Sequence, residues 1–213
     1  MQSLSISQNF YTNKPNRGEE ILAAANKLFL SQGYDGTSIE DIRKACGFRS
    51  KASIYSYFKS KEEMAETIVQ RTVQELKDFI YQEIQSLATN EPLEQFGIIG
   101  RAYIRWALEH PQQYCFRFLR SQQKRLLNGF YDCQEDTLAP LYAQIVTLIG
   151  NLRSDYPIRD LSNEVLFTLM LGLVGRAVID RDEFGDIEMD NKIDHILNMS
   201  IAVLMESPPI SSR

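Results

Sequence analysis

The sequence predicts an all-α protein, with a three-helix head carrying a helix-turn-helix followed by a larger helical bundle. Three observations support that class. Apolar residues recur at three- and four-residue spacing through successive segments. Two segments open on capping-box patterns, Thr37-Ser38-Ile39-Glu40 and Ser60-Lys61-Glu62-Glu63. Gly33 and Gly47 stand where helices stop, since glycine enters the left-handed conformation without a Cβ penalty.

Residues 1–13 are polar, uncharged in their side chains and without periodicity, so a flexible arm is expected. Residues 14–61 make the head. Its first helix begins at Arg17, with Ile21, Ala24, Ala25, Leu28 and Phe29 on one face and Gly33 as its stop. The second opens at the first capping box and buries Ile39, Ile42 and Cys46. Gly47 is the tight turn, Phe48 plugs the core, and a third helix runs over residues 50–57. The second capping box opens a linking helix over residues 61–86, with Met64, Ile68, Leu76, Phe79, Ile80 and Ile84 among its apolar positions.

The bundle domain covers residues 87–206. A helix over 92–109 carries Phe96, Ile99, Tyr103, Trp106 and Ala107, and His110-Pro111 breaks it. A short buried helix is expected at 114–119, then a long helical segment over 124–153 kinked at Pro140. Tyr156-Pro157 is a boundary, and two helices follow over about 161–181 and 192–206. The tail, 207–213, is expected to be flexible.

Composition narrows the function classes. The chain has 213 residues, 44% hydrophobic and 24% charged, which fits a soluble globular protein of one or two domains. No signal peptide is expected at the N-terminus, and the most apolar window, 165–175, ends at Arg176 and is too short to span a bilayer. Three cysteines without a Cys-x-x-Cys pair fit a reducing, cytoplasmic setting. The net charge of -5 hides an asymmetry: residues 1–61 hold nine Lys or Arg against five Asp or Glu, and the rest holds 14 against 23. A basic head on an acidic body suggests that only the head meets a polyanion. Residues 37–61 alone hold six basic residues, six Ser or Thr and four aromatics. A plain three-helix bundle would need the buried positions, whereas outward Arg43, Lys44, Arg49, Ser50, Lys51, Ser53 and Ser56 match what a helix needs to bond phosphates and base edges.

The head resembles the TetR family of bacterial transcriptional regulators. The resemblance lies in RGEEILAAANKLFLSQGYDGTSIEDIRKACGF from Arg17 and SIYSYFKSKEEM from Ser53, about fifty contiguous residues. Three features depart from the family pattern. Arg43 and Cys46 stand where small residues are common, and Tyr57 stands where His is frequent. Gly47 and Tyr55 are eight positions apart instead of seven, so the turn or helix start gains a residue within Arg49-Ser50-Lys51 and borrowed base contacts slip by one. On this basis Arg49, Ser50, Lys51 and Ser53 are expected near base edges, and Thr37, Ser38, Tyr55, Tyr57 and Lys61 on phosphates.

For the body, the resemblance implies a homodimer that brings one recognition helix to each half of a double-stranded operator. The expected interface is the stripe Leu166, Leu169, Leu173, Val174, Ile193, Ile196, Leu197, Ile201 and Leu204; a fully buried core helix is the alternative for the first four. Tyr103, Trp106, Phe116, Phe118, Phe130, Tyr142, Phe167 and Met170 are expected either to line a small-molecule effector cavity or simply to fill the core. Arg105, Arg117 and Arg120 either orient an acidic effector or face water. Cys115 and Cys133 are expected to be inert thiols unless their pKa is lowered.

No catalytic residues, metal site or cofactor are expected. His110 and His195 lack ligand spacing, and no phosphate loop or nucleophile elbow is present. The reading is therefore a cytoplasmic repressor released from operator DNA by a small molecule. Its alternatives are a DNA-binding protein without a ligand, and a helical-bundle binding protein or enzyme whose basic head is incidental.

Overall fold

The structure, a computed structural model, describes residues 17–86, 89, 91–128 and 139–206, without the side chains of Ser86, Leu119 and residues 121–128. The expected arm, the expected tail, Phe130 and Cys133 lie outside the described residues. Nearly all the described chain is helical, and its one strand-like feature is an isolated antiparallel bridge between Ile158 and Met205. In chain order the helices are α1 (Arg17–Gln32), α2 (Ile39–Ala45), α3 (Ala52–Tyr55), α4 (Lys61–Ser86), α5 (Pro92–Glu109), α6 (Pro111–Asn128), α7 (Ala139–Leu152), α8 (Asn163–Ile179) and α9 (Met189–Leu204). The chain divides into two compact units at Glu66 and Thr67, within α4.

In the first unit, α1 buries Ile21, Leu22, Ala25 and Phe29, while Ala24 and Leu28 of the expected face are half-buried. Ile42 of α2, Ile54 of α3, and Met64 and Ala65 of α4 complete the buried set. Each buried aliphatic side chain contributes about 1.5–3 kcal/mol, enough to hold helices too short to persist alone. Gly33, at φ 78°, ends α1 and returns its N–H to Phe29 O.

The second unit is organised around α5, which packs on α6, α7, α8 and α9. Its buried residues include Phe96, Ile99, Ile104 and Trp106. A Cβ at Gly100 would lie 2.7 Å from Leu197 Cδ1, so this glycine lets α9 approach closely. The segment after α7 is tied to the end of α9: Arg159 Nε donates to Val203 O at 2.9 Å, and Glu206 N–H donates to Pro157 O at 2.7 Å.

Two expected elements are redrawn. The short helix at 114–119 is the middle of the 18-residue α6. The described parts of the expected 124–153 segment fall in two helices, and Pro140 sits in the first turn of α7, where no intrahelical N–H is required, so it kinks nothing.

Candidate nucleic-acid interface

The outward face of the head is built by its turns. Ser38 is the N-cap of α2: its Oγ accepts from Asp41 N–H at 3.2 Å, and Asp41 Oδ2 accepts from Ser38 N–H at 2.9 Å. The capping box therefore sits one residue later than the Thr37–Glu40 pairing expected from sequence. Thr37 instead points inward, 1% exposed, and its hydroxyl donates to Gly33 O at 2.8 Å. The far end of α2 closes on Gly47, at φ 67°, with Gly47 N–H on Lys44 O and Phe48 N–H on Arg43 O. That pair of bonds is a Schellman stop, and it turns the chain toward α3. Ile54, fully buried, anchors α3 to the head.

Glu40, free of capping duty, accepts from Arg43 through Nε to both oxygens at 3.1 Å and through Nη2 at 2.7 Å. Arg43 Nη1 in turn donates to Phe48 O, so Arg43 grips the turn by its own carbonyl and its side chain. These hydrogen bonds from Arg43 hold the Glu40 carboxyl below its ordinary range, and Glu40 raises the guanidinium correspondingly. Bonds from the Ser38 hydroxyl and backbone lower Asp41. The sequence reading missed this clasp, although Glu40 and Arg43 at a three-residue spacing were its available signal.

The nine residues expected on DNA do not share one fate. Ser38, Arg49, Ser50, Lys51, Tyr55 and Tyr57 are exposed and Ser53 is half-buried. Apart from Ser38, at the start of α2, they surround the turn and α3, which spans only Ala52–Tyr55 as regular helix, with single turns on either side. Thr37 is buried, as described. Lys61 is turned inward: its Nζ donates to Tyr34 O at 2.8 Å and Thr37 O at 2.9 Å, and lies 4.0 Å from the Tyr34 ring centroid. Tyr34 Oη donates to Glu62 at 2.7 Å. Lys61 thus closes the α1–α2 connection onto the start of α4, and its charge is taken up by carbonyls and an aromatic face.

Residues 21–68 match the family model for bacterial regulatory proteins of the tetR family. Over that segment the chain is similar to the tetR family. The HTH-type transcriptional repressor KstR2 of Mycolicibacterium smegmatis is 35% identical over 101 residues, 45% of this chain and 44% of that protein. The match spans less than half the length of this curated relative. Solved TetR-type structures resemble the chain over most of its length. The ketosteroid transcriptional regulator KstR2 of Mycobacterium tuberculosis superposes with a TM-score of 0.67 at 20% identity, covering 91% of this chain and 97% of that one. AibR, in complex with isovaleryl coenzyme A and operator DNA, superposes with a TM-score of 0.68 at 20% identity, covering 86% and 97%.

In the body, four of the expected effector residues, Tyr103, Phe118, Tyr142 and Phe167, fall in two aromatic groups, the first around Tyr114. Tyr103, Tyr114 and Phe118 lie in ring contact between α5 and α6, and the Tyr103 and Tyr114 hydroxyls are 3.4 Å apart. Burial pushes the Tyr114 phenol far above its ordinary value. Tyr142 and Phe167 meet edge to face at 5.2 Å between α7 and α8. Trp106 and Met170 are buried and Phe116 is half-buried. Arg105 pairs with Asp190 at 2.7 Å, and Arg117 keeps a buried Nε without an acceptor. Burial raises the Cys115 thiol, the direction that makes it less reactive. No group of three His, Cys, Asp or Glu among the described residues could hold a metal ion.

The expected dimer stripe divides. Leu166, Val174, Ile193, Ile196, Leu197 and Leu204 are buried within the body itself, and Leu173 and Ile201 are half-buried. Leu169 is 51% exposed. The large apolar residues left outside on α8 and α9 are Val165, Leu169, Ile179, Met189 and Met199, with Gly172 facing open space.

Proposed function

We propose that this chain is a TetR-type transcriptional repressor whose head binds operator DNA as part of a homodimer. The observation that carries the reading is the head: a Schellman turn and short helix that hold Arg49, Ser50, Lys51, Ser53, Tyr55 and Tyr57 outward around one buried anchor, Ile54. Such short and cationic donors suit phosphates and major-groove base edges. Thr37 and Lys61 leave the contact set, since their polar atoms are engaged inside the head. The Mycolicibacterium relative is a transcriptional repressor, which supports the sign of regulation.

The exposed apolar residues of α8 and α9 are the face that pairs two copies, because apolar surface of this kind is stabilised by removal from water. A small-molecule effector binds among the aromatic groups of α5, α6, α7 and α8; the AibR complex, which holds both an acyl coenzyme A and operator DNA, is the structural relative that supports this. The effector acts by preferring one arrangement of the two heads. No helix among the described residues is long and apolar enough to cross a membrane, and the proposed site of action is the cytoplasm.

Binding of the full chain to duplexes enriched from a random-sequence pool tests the reading. A preferred duplex with strongly salt-dependent affinity is expected. Absence of binding to any duplex at low salt would leave the helical-bundle alternative. Among bound small molecules, those that raise the melting temperature and shift Trp106 fluorescence identify the effector, Trp106 being the single tryptophan. If no effector releases the DNA, the ligand-independent alternative holds.

A further inference from the structure

Glu40 lies beside the cations proposed to meet DNA, 3.9 Å from Lys51 Nζ, yet it is an anion. One oxygen, Oε1, takes Nε and Nη2 of Arg43, and the other, Oε2, takes Nε and lies 3.9 Å from Lys51 Nζ. Arg43 is thereby committed within the head, because its remaining Nη1 donates to Phe48 O. Lys51 is held more loosely, at long distance and with 54% of its side chain exposed. A pair of that kind yields readily to a competing anion.

We propose that Glu40 is a positioning residue that sets operator specificity. Building on the DNA-binding reading above, it does two things at once. Through Arg43 it fixes the carbonyl of the turn that aims Arg49, Ser50 and Lys51. Through its own charge it holds Lys51 back from indiscriminate phosphate contact, so that Lys51 is released only where a duplex offers a better acceptor. An anion kept beside the phosphate-facing cations lowers attraction to every sequence alike and leaves base contacts to decide.

The test compares wild type, Glu40→Gln and Arg43→Met on the duplex that the wild-type chain enriches from a random pool and on a scrambled duplex, across a salt series. Glu40→Gln removes the charge while keeping an acceptor. It should tighten binding to the scrambled duplex about three- to tenfold, steepen its salt slope by about one unit as Lys51 gains a phosphate, and narrow the preference for the enriched duplex. Arg43→Met keeps the Glu40 charge and loosens the turn; it should narrow that preference without steepening the slope. A purely structural Glu40 would instead lower the melting temperature and weaken both duplexes in proportion, with the slope unchanged, and that result overturns the proposal. So does Glu40→Gln with the wild-type preference and slope. If wild type itself bound no duplex at low salt, the parent reading would fall and this one with it.

Discussion

Lys61 shows how much one side chain's surroundings decide. A lysine opening a helix in a basic head reads as a phosphate contact, and as such its removal would flatten the salt dependence of binding by about one unit. Its ammonium, however, is bonded to Tyr34 O and Thr37 O and rests on the Tyr34 ring. Lys61→Met is therefore expected to destabilise the head by about 1–2 kcal/mol, the scale of charge-assisted bonds that are partly exposed, while leaving the salt slope of DNA binding unchanged. Thermal melts and a salt titration on the same variant separate the two roles. Ser38→Ala should cost about 1 kcal/mol through loss of the α2 cap. The cap also carries a pH signature. Asp41 has its folded-state pKa lowered, so its contribution is complete above the ordinary value of 3.8 and is lost as pH falls through the lowered one. The gap between melts of wild type and Ser38→Ala should be widest at neutral pH and narrow, without closing, in acid, because the bond from Asp41 N–H to Ser38 Oγ does not titrate.

At the scale of the element, α2, its turn and α3 act as one unit. The regular part of α3 is four residues, far below the length at which a helix holds itself. Its order comes from Ile54 beneath it and from the Glu40–Arg43–Phe48 clasp beside it. Lys51 is the N-cap residue of α3 and extends outward without a capping bond. If it reads a base, Lys51→Ala should weaken operator binding by about 1–3 kcal/mol and relax the preference at a single base pair, with the melting temperature unmoved. A uniform loss across all duplexes would instead assign Lys51 to a phosphate. Selection from a random pool with the variant distinguishes these outcomes.

For the molecule as a whole, two faces of α8 have different destinies. Leu166, Met170, Val174 and Val178 recur four apart and are buried, whereas Val165 and Leu169 lie exposed. Leu169→Glu is expected to leave the body folded, because its side chain meets water in the single chain, and to abolish dimerisation, because two such carboxylates would be buried in the pair. Leu166→Glu is expected to unfold the body, since its site is fully buried. Sedimentation and circular dichroism on both variants check the assignment. A folded, fully dimeric Leu169→Glu would move the interface elsewhere.

Most helices of this protein, and the turn glycines, were legible in the sequence because periodicity, caps and left-handed stops are local: the residues that create them lie within a turn of one another. The all-α class followed from such patterns, the likeness of the head to the TetR family from its motifs, and Gly33 and Gly47 stand as stops for the reason that marked them. At some positions the tertiary structure overrode the local reading. The sequence pattern pointed to Thr37–Glu40 as the capping box, whereas burial of Thr37 with its hydroxyl on Gly33 leaves Ser38 and Asp41 to form it. That choice releases Glu40 to Arg43 and Lys51. The apolar residues of α8 covered more than one face, and periodicity could not say which face would meet the chain's own core. Lys61 finds its acceptors 24 and 27 residues away, at carbonyls that no side-chain pattern reveals. Local chemistry determines which helices form; the packing of distant segments decides which of their polar atoms remain free to act.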